Sequence, residues 1–314
     1  MSRLLLKARP TATQLADRLR DPRPDGLELY LDSADLADDA AMEAAVANVE
    51  RLGLPPDFVL LIEGPVRSLD GGFFDLTRDA EADRELIRRL GRLARRLGAE
   101  AVNVHLIAPT SHPWDLTPGA RQAGLERGLG LVRLFVEACS GAGAIPTIEN
   151  MPPVLRMRES GFYYSPIGMP AEDLVWLCER APGLRSTLDL SHAGLYANCR
   201  RYAAGHDDPP QHEGACPELL AFVRTLPPVE DVAGYAAVLG STLLTCHVAN
   251  ATGLLGEGAP YEVGDLALDR LIAALGSRVR FFVTETLEAN PERAIEMRRA
   301  LAAMRRALQA APCR

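Results

Sequence analysis

Eight times along its 314 residues this chain follows a short apolar run with an amphipathic helical stretch. That alternation restricts it to an α/β architecture built on a parallel sheet. The apolar runs fall at 4–6, 26–32, 57–63, 101–105, 145–149, 185–190, 243–248 and 280–286. Helical periodicity is read over 11–20, 34–52, 80–97, 118–142, 171–180, 229–239, 266–275 and 291–308. The runs are too apolar to leave one face wet, as expected of strands covered on the outside by helices. Eight such units closing on themselves make a (β/α)8 TIM barrel, and one domain of that kind accounts for residues 1–314. An open doubly wound sheet is the competing arrangement. It lacks its usual support, because no GxGxxG follows the first strand.

Four of the runs end on a side chain able to bind a metal. Ile148-Glu149-Asn150 closes the fifth and Leu188-Asp189-Leu190-Ser191-His192 the sixth; Cys246-His247-Val248 closes the seventh and Thr284-Glu285-Thr286 the eighth. Strand C-termini meet at the mouth of a barrel, where active sites are built. Any one of these carboxylates alone reads best as a salt-bridged barrel end, and a lone histidine as a satisfied core imidazole. Four at four successive strand ends read differently, since three carboxylates converging without a cation would repel one another. The set Glu149, Asp189, His247 and Glu285 therefore points to a divalent metal. Oxygen-rich ligation with one imidazole suits Mn²⁺, Mg²⁺, Co²⁺, Fe²⁺ or Zn²⁺ without choosing between them. His192, three residues after Asp189, is placed to meet a substrate oxygen or a second ion. His105 and Glu63, at the ends of the fourth and third strands, are candidates for a second metal or for substrate, and Glu28 is a weaker one.

Two connections read as long loops on the C-terminal face. One, 151–170, follows the fifth strand and carries Phe162, Tyr163 and Tyr164, read as a substrate wall or as an anchor for the loop itself. The other, 191–228, follows the sixth strand and carries Arg200, Arg201, His206 and His212, with the arginines read as a solvated charge pair.

Composition removes several functions. A net charge of −8 sets an unfavourable average field for a nucleic-acid duplex. Lys7 is the only lysine, which argues against Schiff-base chemistry. The six cysteines show no CxxC spacing, although Cys199 and Cys216 fall in one suspected loop. No window approaches the roughly 18 apolar residues of a membrane span, and the leucines at 4–6 are too few for a secretory signal. A cytoplasmic location is expected, and the helical exterior offers surfaces for a homodimer.

Taken together, Ile-Glu149-Asn, Leu-Asp189-Leu-Ser-His192, His247 and Thr-Glu285 resemble the xylose isomerase-like TIM-barrel superfamily. That group includes sugar isomerases and epimerases, inosose dehydratases and the family-2 AP endonucleases. The resemblance implies that Glu149, Asp189, His247 and Glu285 are the shared metal ligands. It also matches the Asp-x-x-His spacing of Asp189 and His192 and a histidine ending strand four, here His105. The endonuclease branch carries an Asp-x-His pair after strand seven, ahead of a Gly-Glu-Gly segment. No such pair occurs between Asn250 and Asp265, and Glu63 stands where that branch has a histidine.

The resemblance thus implies an isomerase or epimerase of a small carbohydrate-like carbonyl compound. In that reading an enediolate forms, Glu149 and Glu285 carry the proton, and His192 holds the polarised oxygen. A dehydratase, a metal-dependent phosphodiesterase of abasic DNA and a non-catalytic barrel are the alternatives.

Overall fold

A computed structural model describes residues 2–156, 161–210 and 213–310. Eight parallel strands close into a barrel: β1 (Arg3–Ala8), β2 (Gly26–Tyr30), β3 (Val59–Glu63), β4 (Ala101–His105), β5 (Ile145–Glu149), β6 (Arg185–Asp189), β7 (Leu243–Val248) and β8 (Phe281–Thr284). Each strand pairs with its neighbours in chain order, and β8 pairs with β1 from Arg3↔Phe281 to Leu6↔Thr284. Among the described residues ten α-helices surround it: α1 (Ala12–Arg18), α2 (Asp39–Glu50), α3 (Glu81–Leu97), α4 (Pro118–Ala142), α5 (Ala171–Arg180), α6 (Leu190–Ala203), α7 (Pro217–Thr225), α8 (Val232–Leu239), α9 (Leu268–Leu275) and α10 (Ile295–Ala310). This is the (β/α)8 barrel expected from the alternation of runs.

Side-chain alternation along the strands divides the core in two. Leu4 and Leu6 of β1, Leu60 and Ile62 of β3, and Phe282 of β8 face outward into the main cluster beneath the helices. Leu5, Val59, Leu61, Ala101, Leu244, Phe281 and Val283 form a separate apolar cluster inside the barrel. Neighbours Phe281 and Phe282 are both fully buried, one in each cluster, and each contributes about 1.5–3 kcal/mol by leaving water. On the outside, Leu86, Ile87, Leu90, Leu93 and Ala94 make one buried stripe of α3, whose other face carries its arginines. Gly98 ends that helix at φ 62°, a left-handed cap that a side chain would strain.

Two readings of the connections need correction. The stretch 191–228 is not a loop, because α6 begins on the residue after β6 and α7 lies within it. The helix starts without a turn because the Asp189 carboxylate caps it, accepting a hydrogen bond from the His192 N–H at 2.6 Å. Leu195, Tyr196, Cys199 and Ala203 then bury one face of α6. Arg200 is not a solvated partner of Arg201; it donates to the carbonyls of Val223 and Leu226 at 2.6 and 3.0 Å and so caps α7, whereas Arg201 pairs with Asp207. Cys199 and Cys216 are both free thiols. His212 lies outside the described residues.

The connection after β5 forms a short hairpin, Leu155–Arg156 against Phe162–Tyr163, with 157–160 outside the described residues. Tyr164 anchors it: the backbone exchanges hydrogen bonds with Thr110, 2.8 Å in each direction, and the buried phenol donates to the Gly214 carbonyl. Among the described residues no helix is long and apolar enough to cross a membrane.

Candidate metal centre

Period-two alternation, continued past the apolar layer, decides what fills the barrel mouth. Two residues beyond Leu5 comes Lys7, two beyond Leu61 comes Glu63, and two beyond Val283 comes Glu285. The interior is therefore layered: apolar at the floor, then Asn103, Thr147, Thr187 and Thr245, then the charged groups. The register places His105 beside Glu149 and Asp189 beside His247, so the ligand-type residues end their strands at one level. Glu285 follows β8, its backbone N–H donating to the Val248 carbonyl at 3.0 Å.

The structure brings together the four residues singled out from the strand ends. Glu149, Asp189, His247 and Glu285 each offer an atom within 4.8 Å of the others. Nδ1 of His247 lies 2.7 Å from Glu285 Oε2 and 3.3 Å from Glu149 Oε2. Neither approach has hydrogen-bond geometry. Glu149 Oε1, Glu285 Oε2 and both His247 nitrogens are buried without a hydrogen bond among the described residues. Buried polar atoms are normally satisfied, and a fully buried carboxylate is costly unless it meets a cation. Orphaned oxygens and an imidazole nitrogen converging on one point are the donor set a divalent ion requires, so the residues fit a metal.

Glu149 is held from below. The Thr187 hydroxyl donates to Thr147 Oγ1 at 3.0 Å, Thr147 donates to Asn103 Oδ1 at 3.0 Å, and Asn103 Nδ2 donates to Glu149 Oε2. This chain uses one Glu149 oxygen and leaves Oε1 without a hydrogen bond. Asn150 ties the strand ends together, donating to the Asp189 carbonyl at 3.1 Å and accepting from the Asp189 N–H at 2.8 Å. His192 Nδ1 is 2.8 Å from the Asn150 carbonyl and 3.6 Å from Glu149 Oε1. Its Nε2 faces Glu257 Oε2 at 3.4 Å, on a hairpin of Asn250–Thr252 against Gly256–Ala259.

Burial and charge pull the titrations apart. Burial disfavours an ionised Glu149, but His247 and His105 together outweigh it and bring the carboxyl down to about 2. At Asp189 burial prevails over His192 and lifts the carboxyl to about 7. Burial opposes a charged His247, yet Glu28, Glu149 and Glu285 raise it well above the usual imidazole value. His192 is raised in the same way by Asp189, Glu257 and Glu149. Burial lowers His105.

The secondary candidates group differently from the sequence reading. His105 Nε2 stands 3.8 Å from both Glu63 Oε1 and Glu149 Oε2. The second ligand-type triplet is instead Glu28, Glu63 and His247, with His247 Nε2 2.9 Å from Glu28 Oε2. Lys7 was given no role from the sequence, yet its ammonium pairs with both Glu63 and Glu285. Its inward direction was readable from Leu5, and the threonine and asparagine layer was readable from Glu149 by the same rule.

No protein-family model and no curated protein matches the chain. Solved structures do, over nearly its full length. A D-tagatose 3-epimerase-like protein superposes at TM-score 0.64 with 14% identity, covering 98% of each chain. The 3-keto-D-glucoside 4-epimerase of E. coli gives 0.61 at 14% identity, covering 98% of this chain and 100% of the other. A xylose isomerase domain protein from Planctomyces limnophilus gives 0.62 at 11%, covering 99% and 98%. The chain shares the TIM-barrel fold of these structures. At these identities the likeness is one of fold, and the chemistry rests on the site.

Proposed function

We propose that this xylose isomerase-like barrel is a divalent-metal-dependent isomerase or epimerase of a small polyhydroxylated carbonyl compound. The observation that carries the proposal is the convergence of Glu149, Asp189, His247 and Glu285 within 4.8 Å, with Glu149 Oε1, Glu285 Oε2 and both His247 nitrogens left unsatisfied. The fold shared with sugar epimerases supports the substrate class. Those four residues would hold the metal, which when bound supplies Lewis acidity toward adjacent substrate oxygens.

The chain's own residues carry the proton. Abstraction from the carbon beside a carbonyl leaves an enediolate, and return of the proton to the neighbouring carbon or to the opposite face gives isomer or epimer. Glu149 and Glu285 end strands separated in the barrel by β6 and β7, so they can address a substrate from two sides. Glu149, held ionised by His247 and His105, is the accepting base. For an isomer Glu149 returns the proton it took to the neighbouring carbon; for an epimer Glu285 enters the turnover protonated and gives its own proton to the opposite face, against the pull of Lys7 and His247 on its carboxylate. His192, held charged by Asp189, Glu257 and Glu149, donates to the developing oxyanion.

The test is a panel of ketoses and keto-sugars incubated in D₂O with metal-reconstituted protein. Solvent deuterium entering a carbon-bound position of the substrate, accompanied by isomer or epimer, is the expected result. E149Q should abolish both while keeping the wild-type circular dichroism spectrum. Full exchange in E149Q would refute the assignment.

A further inference from the structure

Five carboxylates, those of Glu28, Glu63, Glu149, Asp189 and Glu285, crowd one barrel mouth and fall into two cation-sized groups that share His247. One imidazole nitrogen faces each group: Nδ1 is beside Glu149 and Glu285, and Nε2 is beside Glu28. The second group has the composition of a metal site, two carboxylates and an imidazole, all fully buried. One of its members already meets a cation. The Lys7 ammonium contacts Glu63 Oε2, a member of the second group, and Glu285 Oε1, a member of the first.

We propose that Lys7 is a resident cation that takes the place of a second metal ion in the Glu28–Glu63–His247 position and so fixes the centre at one ion. The proposal rests on the metal reading above and adds its stoichiometry.

Two observations carry it. Lys7 is 5% exposed and is the chain's only lysine, in a protein whose other long basic side chains are all arginine. A compact ammonium with three donors fits a cage of oxygens that a planar guanidinium would not. The ammonium binds Oε1 of Glu285, leaving Oε2 directed at His247 Nδ1, so the same contact that closes the second position presents a single oxygen to the first. A divalent ion would have to expel this ammonium from its pairs with Glu63 and Glu285. A protonated, doubly paired amine is also no nucleophile, which agrees with the argument against Schiff-base chemistry.

The experiment counts ions. Chelator-stripped wild-type protein is titrated with Zn²⁺ and, separately, Mn²⁺, and the bound ions are read by native mass spectrometry and plasma emission. One ion per chain at tenfold excess is expected. K7Q, which loses the charge, should take up two. Two ions in wild type, or one in a folded K7Q, would overturn the proposal while leaving the metal reading intact; none in wild type would remove the metal reading itself.

Should K7Q fail to fold, wild-type protein labelled with [¹⁵Nζ]lysine decides. Its single ammonium resonance should persist through saturation with one ion. Migration of that resonance to the position of a solvated lysine as a second ion binds would refute the proposal.

Discussion

Replacing Asn150 by alanine tests whether the strand ends are tied together as the geometry requires. Asn150 is fully buried and spans from β5 to β6, with one hydrogen bond to the Asp189 carbonyl at 3.1 Å and one from the Asp189 N–H at 2.8 Å. In N150A the Asp189 N–H is left buried without a partner, at a cost of about 1–3 kcal/mol. The Asp189 carbonyl is less affected, because as the helix N-cap it also begins the α6 ladder, so its lost bond adds only about 0.5–1.5 kcal/mol. The expected loss is therefore about 2–4 kcal/mol, or roughly 4–8 °C in Tm at about 2 °C per kcal/mol for a chain of this size. Glu149 and Asp189 would no longer be clamped to each other, and affinity for a divalent ion should fall by about 10–100-fold. Thermal unfolding in chelator measures the first effect and calorimetric titration with Zn²⁺ the second. N150D restores the acceptor but sets an oxygen against the Asp189 carbonyl, and should rescue neither. A metal-free N150A within about 0.5 kcal/mol of wild type, with unchanged zinc affinity, would refute the clamp.

Metal binding should release protons, since His247 is held protonated above its usual range and Asp189 is lifted to about 7. A raised imidazole stabilises the metal-free fold below its unfolded value, near pH 6.5, and that contribution is lost as pH rises through the folded value. Metal affinity runs the other way, strengthening by about tenfold per pH unit for each proton displaced. Titrations at pH 6.5 in buffers of different ionisation enthalpy should give different apparent heats, and identical heats would contradict the protonation scheme. Gly168 stands at φ +88° with its absent Cβ 2.2 Å from the Leu106 carbonyl, while its N–H donates to buried Asp173 at 2.8 Å. G168A should cost about 3 kcal/mol or more from strain and clash together, and an unchanged Tm would contradict that geometry.

Much of this was legible in the sequence for a local reason. Residues 101–105, 145–149 and 243–248 are bounded by helical periodicity on both sides, and they coincide with β4, β5 and β7. Because parallel strands enter the barrel in one direction, a metal-capable residue ending each strand must reach the same rim, and Glu149, Asp189, His247 and Glu285 could be grouped from position alone. Helix α6 was missed because nothing separates it from β6. Asp189 ends the strand and caps the helix with one side chain, and the polar Ser191-His192 pair that follows looks like a loop. Lys7 was missed because its partners Glu63 and Glu285 belong to β3 and to the end of β8, and a long-range ion pair has no local signature. Glu257 escaped for the same reason, since only the Asn250–Ala259 hairpin turns it back toward His192.

The burial of Lys7 has a consequence for durability. Open-chain sugars condense with exposed ε-amines, and a protein working in their presence accumulates such adducts over its lifetime. Here the single ε-amine is sealed in the barrel and paired as an ammonium, and every other long cationic side chain is an arginine. A barrel that handles reducing sugars would thus offer them no lysine on its exterior to glycate.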